Sequence, residues 1–176
     1  ESHFDAAWVE AHGGVESTTA VVHASFQAYS MDDEAALKRY LSAEIHSLAR
    51  MGLDASDTVV LFSSETPDGQ VCARALKRYL ERALPGLSCR IEVIPGLQVT
   101  DARRFRTEGV LKFTQAVLRI IDASDPSYCV LNPTGGFKSL VPYTVLIGPG
   151  GELRLRHLGP LSEDELALAV QQTLAR

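Results

Sequence analysis

Cysteine is scarce and scattered. Cys72, Cys89 and Cys129 form no C-x-x-C pair and no half of a metal site, so neither a zinc ribbon nor a dithiol redox centre is expected. Wide spacing and an odd count suit reduced, buried thiols. Histidine shows no ligand spacing either: His3, His12, His23, His46 and His157 stand apart. Neither a metal nor a cofactor is therefore expected. Long hydrophobic runs are also missing. Thr58–Phe62 and Val141–Ile147 are far too short to span a bilayer, and no signal peptide is visible. There is no basic excess: 17 Lys+Arg face 22 Asp+Glu, a formal charge of -5. General binding of duplex DNA needs a dense basic face and is excluded, but a local phosphate pocket is not. The phosphate-loop pattern G-x-x-x-x-G-K-[ST] and the dinucleotide pattern G-x-G-x-x-G are both absent. So are internal repeats, low-complexity tracts and long linkers.

What remains is a chain of 176 residues with 45% hydrophobic and 22% charged residues, enough to bury a core without staples. Residues 1–150 read as one domain, its first thirty residues the least legible, and 151–176 as a strand and helix packed on it. Residue 1 is Glu rather than Met, which implies a processed or excised chain. An upstream apolar stretch of about 20 residues would tether it to a membrane. Otherwise a cytoplasmic location is expected.

Phe4–Ala11 is weakly helical. Thr18–Phe26 is β-branched and predicts a strand. Glu34–Met51 has helical spacing and ends at Gly52. Thr58–Phe62 is a continuous apolar run, as in a strand covered on both faces. A polar turn over Ser63–Gly69 leads to an amphipathic helix over Val71–Leu84. Cys89–Ile94 reads as a strand, Asp101–Ala123 as one long helix and Tyr128–Leu131 as a short strand. Leu140–Ile147 fits a helix or a strand. A strand over Glu152–His157 and a final helix capped by Ser162 and Glu165 complete the chain. The alternation predicts an α/β fold: a Rossmann-like, mainly parallel sheet flanked by helices, with a small C-terminal hairpin and helix.

In such sheets ligands bind beyond the carboxyl ends of the strands. Two segments lie there, Ser63-Ser64-Glu65-Thr66 and Asn132–Lys138. Hydroxyls and backbone N–H groups before a helix suit an anion or a ribose phosphate. Gly135 and Gly136 let a backbone approach closely, Asn132 can read a base edge or ribose hydroxyl, and Lys138 supplies a point charge. The plain alternative is a tight turn with a solvated lysine. Asp101, Arg103 and Arg104 read as a solvated helix start from which either arginine could reach a phosphate. Trp8 reads as a packing residue rather than a stacking platform.

Asn132-Pro133-Thr134-Gly135-Gly136-Phe137-Lys138 resembles the NxTGGxK signature of CRISPR-associated Rossmann-fold (CARF) domains. Ser42-Ala43-Glu44-Ile45 resembles that family's SAEI stretch, and Ser63–Gly69 its SDTxxG loop. Gly96-Leu97-Gln98, Asp101, Phe105 and Gly109 are similar to its GLQ…D…F…G pattern. The likeness covers about residues 36 to 147, in order. It implies a sensor of cyclic oligoadenylate in type III CRISPR antiviral defence, with one ring, cyclic tetra-adenylate first, seated across the two-fold axis of a homodimer. On that likeness Ser63, Ser64, Thr66, Asn132, Thr134, Gly135, Gly136, Phe137 and Lys138 bind the ligand, and no catalytic residue is assigned. Some relatives cleave the ring slowly through its ribose 2′-hydroxyl, so a ring nuclease is the alternative. Thr18–Phe26 lacks the family's Gly-Thr/Ser pair, and the Arg…His signature of its ribonuclease half is absent. The output then passes through an effector elsewhere. Separately, Val141–Gly151 and Leu155–Gly159 look like the end of a thioredoxin-like protein, a second alternative that lacks an upstream C-x-x-C.

Overall fold

The computed structural model describes residues 5–98, 101–124, 129–132, 143–147 and 153–158. Two compact units divide the chain, Glu1–Ala116 and Val117–Arg176. In the first, helices α1 (Ala6–Ala11), α2 (Gly14–Phe26), α3 (Glu34–Arg39) and α4 (Ala43–Met51) precede strand β1 (Thr58–Ser64). Helix α5 (Pro67–Ala83) crosses to strand β2 (Ser88–Ile94). Then come α6 (Ala102–Arg104), a π-helical segment (Phe105–Gly109) and α7 (Val110–Asp122).

β1 and β2 pair in parallel, from Thr58 opposite Ser88 to Ser64 opposite Ile94. With α5 between them they form the expected β-α-β unit, so the α/β class holds. The continuous run of β1 is explained by what covers it. Val59 and Cys89 join the core formed with Ile45 of α4 and Tyr79 and Leu80 of α5. Alternation sends Phe62 to the other face, where its ring meets Phe113 of α7 edge-on at 4.9 Å.

Three expectations are corrected here. Thr18–Phe26 belongs to helix α2, not to a strand. Val15, Thr18, Thr19, Val22 and Phe26 also have helical spacing, and tertiary burial overrides β propensity. Thr18 and Thr19 are fully buried, and both hydroxyls are satisfied by carbonyls, Thr19 Oγ1 donating to Val15 O at 2.6 Å and Thr18 Oγ1 to Val9 O at 3.4 Å. The Glu34–Met51 helix is two helices. Tyr40 leaves helical geometry and Ser42 turns extended, its Oγ capping α4 through Ile45 N. The long helix from Asp101 is interrupted by the π-helical segment, whose cause lies at the site below.

His23 of α2 carries the one buried side-chain polar atom without a partner among the described residues, its Nε2. Burial, then Arg82 and Arg78, hold its pKa below 6.5. The unfolded chain binds that proton more readily, so this contribution to stability is present above pH 6.5 and lost as pH falls from there through the folded value. His23→Phe should flatten the decline in melting temperature between about pH 7 and pH 5. An unchanged decline would assign it to other groups.

In the second unit, β3 (Tyr143–Ile147) and β4 (Leu153–Leu158) pair antiparallel, from Tyr143 opposite Leu158 to Ile147 opposite Leu153, with a register irregularity at Leu146/Ile147. The expected C-terminal hairpin is therefore present, with a strand rather than a helix over its first arm. The expected final helix lies outside the described residues. The strand expected over Tyr128–Leu131 is not formed by its described part. Cys129–Leu131 has no regular structure, and Val130 is 74% exposed. The apolar run is short, and Pro133, two positions past Leu131, has no N–H for a ladder. Among the described residues no helix is long and apolar enough to cross a membrane.

Candidate functional site

Parallel pairing in register brings the carboxyl ends of β1 and β2 side by side, Ser63 opposite Val93 and Ser64 opposite Ile94. Only Glu65 and Thr66 separate β1 from α5. The polar segment read as a turn is thus a strand end joined almost directly to a helix start. Thr66 is the N-cap: it is extended, its Oγ1 accepts the N–H of Gly69 at 3.3 Å, and Pro67 follows in the first turn, where no N–H is needed.

The three hydroxyls differ. Ser63 is 3% exposed, and its Oγ donates to Ser64 O at 2.9 Å. Ser64 is 8% exposed, and its Oγ lies 2.6 Å from Thr66 Oγ1. One of that pair donates to the other, so a single hydroxyl proton of the two remains for an outside acceptor. Gly69 makes the pair possible. A Cβ there would lie 2.0 Å from Ser64 Oγ and 3.1 Å from Thr66 Oγ1.

The neighbouring turn after β2 is built just as closely. Gly96 has φ +77°, the left-handed region that favours glycine. Its carbonyl is so near the π-helical segment that a Cβ on Gly109 would sit 2.2 Å from Gly96 O. The helix therefore approaches the turn backbone to backbone, and its irregularity falls at that contact. Asp101 caps the start of α6, its Oδ1 accepting from Arg103 N at 3.1 Å and Arg104 N at 2.9 Å.

Sequence reasoning assigned no role to Glu65. Its Oε1 accepts the N–H of Gly96 at 3.3 Å, and the same oxygen pairs with Arg104 Nη1. Oε2 accepts from Arg104 Nη2 at 3.3 Å. Arg104 Nε donates to Glu108 Oε2 at 2.8 Å, and Glu108 Oε1 accepts from Lys112 at 2.5 Å. Glu108, then Glu65, holds the Arg104 guanidinium above its ordinary pKa. Lys112, then Arg104, holds the Glu108 carboxyl below its own. Acids and bases balance, so the strand ends offer an anion donors rather than net charge. No sequence spacing announces an acid thirty-nine positions before its arginine.

Of the residues expected to bind ligand, Ser63, Ser64 and Thr66 are together here. Asn132 is half-buried in the second unit. Thr134, Gly135, Gly136, Phe137 and Lys138 lie outside the described residues. Trp8 stacks on His12 with centroids 3.7 Å apart. Among the described residues no group of three or more His, Cys, Asp or Glu is placed to hold a metal.

Cys72 and Cys89 do not resemble reactive thiols. Burial pushes the buried Cys89 up to about 11, with Lys77 opposing it. Local desolvation, then Asp68 and Glu44, raises Cys72. A reactive thiol needs the opposite shift.

No curated protein matches the chain. The profile of one family, described as CRISPR-associated protein (Cas_APE2256), matches residues 39–156, a range that includes β1, α5, β2 and residues 132–138. The chain belongs to that CRISPR-associated family.

Proposed function

We propose that the chain is a cyclic-oligoadenylate sensor of CARF type. It binds one ring, cyclic tetra-adenylate in preference to the hexamer, between two copies and signals to a separate effector in type III CRISPR antiviral defence. The observation that carries this reading is the convergence at one strand end. Ser63, Ser64, Thr66 and Gly69 of one motif lie at the end of β1, and Gly96 and Gly109 of another lie at the turn after the paired β2, joined by the Gly96 N–H on Glu65, in a chain of a CRISPR-associated family.

Each part has a physical role. The Ser64–Thr66 pair keeps one proton for a phosphate or ribose oxygen. Lys138, with Thr134, Gly135 and Gly136, offers the ligand a positive charge and backbone donors. A ring with two-fold symmetry meets the same contacts twice on a symmetric dimer. The proposed setting is the cytoplasm, where such a messenger is made.

Two substitutions test the reading by titration of labelled cyclic tetra-adenylate. Gly69→Ala forces Ser64 Oγ out of its pair and should weaken binding about tenfold, the effect of one lost hydrogen bond to a charged group. Its stability should change little, because alanine favours a helix by about 0.5–1 kcal/mol over glycine and offsets part of the displacement. Lys138→Ala should weaken binding about tenfold or more and flatten its salt dependence. Wild-type affinity in both variants would remove these segments from the site. Linear products accumulating with time, and lost in Lys138→Ala, would instead make the protein a ring nuclease.

A further inference from the structure

Glu65 belongs to neither β1 nor α5, yet a turn and a helix start meet at its carboxylate. It accepts the N–H of Gly96 in the turn after β2 and grips both terminal nitrogens of Arg104 at the start of the following helix. Arg104 is gripped again through Nε by Glu108 of the π-helical segment. A guanidinium has five N–H groups. Among the described residues three are committed, and of the other two one shares the Nε edge with Glu108 while the other lies on the opposite edge, where it can meet an acceptor. The pair is about a third exposed on each side, and exposed ion pairs contribute little to stability. So much order in a pair of so little stabilising value suits a task other than holding the fold.

We propose that Glu65 is a positioning residue for the ligand. It orients Arg104 and pins the turn at Gly96, so that the N–H left on the edge of the guanidinium away from Glu108 is presented to an arriving phosphate. This rests on the sensor reading above. It extends that reading by making Arg104 a phosphate contact held through Glu65. The planar bidentate grip makes the arrangement specific to arginine and carboxylate.

The test is a double-mutant cycle read by titration with cyclic tetra-adenylate, beside amide hydrogen exchange of the unliganded protein. Glu65→Gln keeps the size of the side chain and an acceptor for Gly96 but loses the ionic grip. It should bind about tenfold more weakly, with a melting temperature within about 2 °C of wild type. Arg104→Ala should lose at least as much. The double variant should be no weaker than Arg104→Ala alone, because Glu65 acts through Arg104. In Glu65→Ala the Gly96 amide should exchange at least tenfold faster, while amides in the middle of α5 keep their wild-type rates.

Wild-type affinity in Glu65→Gln overturns the proposal, and so do simply additive losses in the double variant. Failure of the unaltered protein to bind the ring overturns the sensor reading, and with it the ligand role of Arg104. The exchange measurement then still decides whether Glu65 orders the turn, and an unchanged Gly96 rate would end that part too.

Discussion

Tyr79→Ala should destabilise the first unit by about 3–5 kcal/mol in urea denaturation, the range for removing a large buried ring. Tyr79 is fully buried at the centre of the core. Its ring lies 5.5 Å from that of Phe26, so α5 and α2 both lose a partner. Tyr79→Phe separates packing from polarity. Burial raises the phenol above its ordinary pKa and keeps it a neutral donor. It donates to Tyr29 O at 2.9 Å. Losing that bond alone should cost about 1 kcal/mol. If Tyr79→Ala cost no more than Tyr79→Phe, the core would not be organised around this ring.

Gly109→Ala should destabilise the protein by about 2–3 kcal/mol, although alanine improves most helices. The new Cβ would lie 2.2 Å from Gly96 O, 2.5 Å from Gly96 C and 2.9 Å from Leu97 N. All three are backbone atoms, so no side chain can step aside. Leu97 is fully buried behind them, which prevents the turn from retreating. Helix and turn must separate, and the contacts of Glu65 with Gly96 and Arg104 should loosen together. Arg103→Ala, on the exposed side of the same helical start, is the control and should stay within about 0.5 kcal/mol of wild type. Equal melting temperatures for the two variants would contradict the close approach.

These sites show what was legible in the residues alone. The continuous run of β1 and the helical period of α5 depend on local patterning, and both elements stand where expected. The glycines at 69, 96 and 109 were visible as a pattern, but its reason was not. Each makes room for an atom of another residue, two of them across sequence gaps no period reveals. Thr18–Phe26 misled because β-branched residues mark strands only where a sheet receives them. Here α5 receives them, with Glu16 pairing to Arg74 at 3.3 Å and also to Arg78. The breaks at Tyr40 and in the π-helical segment were hidden because apolar periodicity continues through both. Glu65 escaped notice because its value comes from a turn and a helix that only folding brings to it.

The most direct test of the sensor reading is calorimetric titration of the unaltered protein with cyclic tetra-adenylate, then with cyclic hexa-adenylate. The proposal predicts saturable binding of the tetramer at one ring per two chains, as a shared two-fold site requires, and weaker binding of the hexamer. No heat of binding with either ring would contradict it.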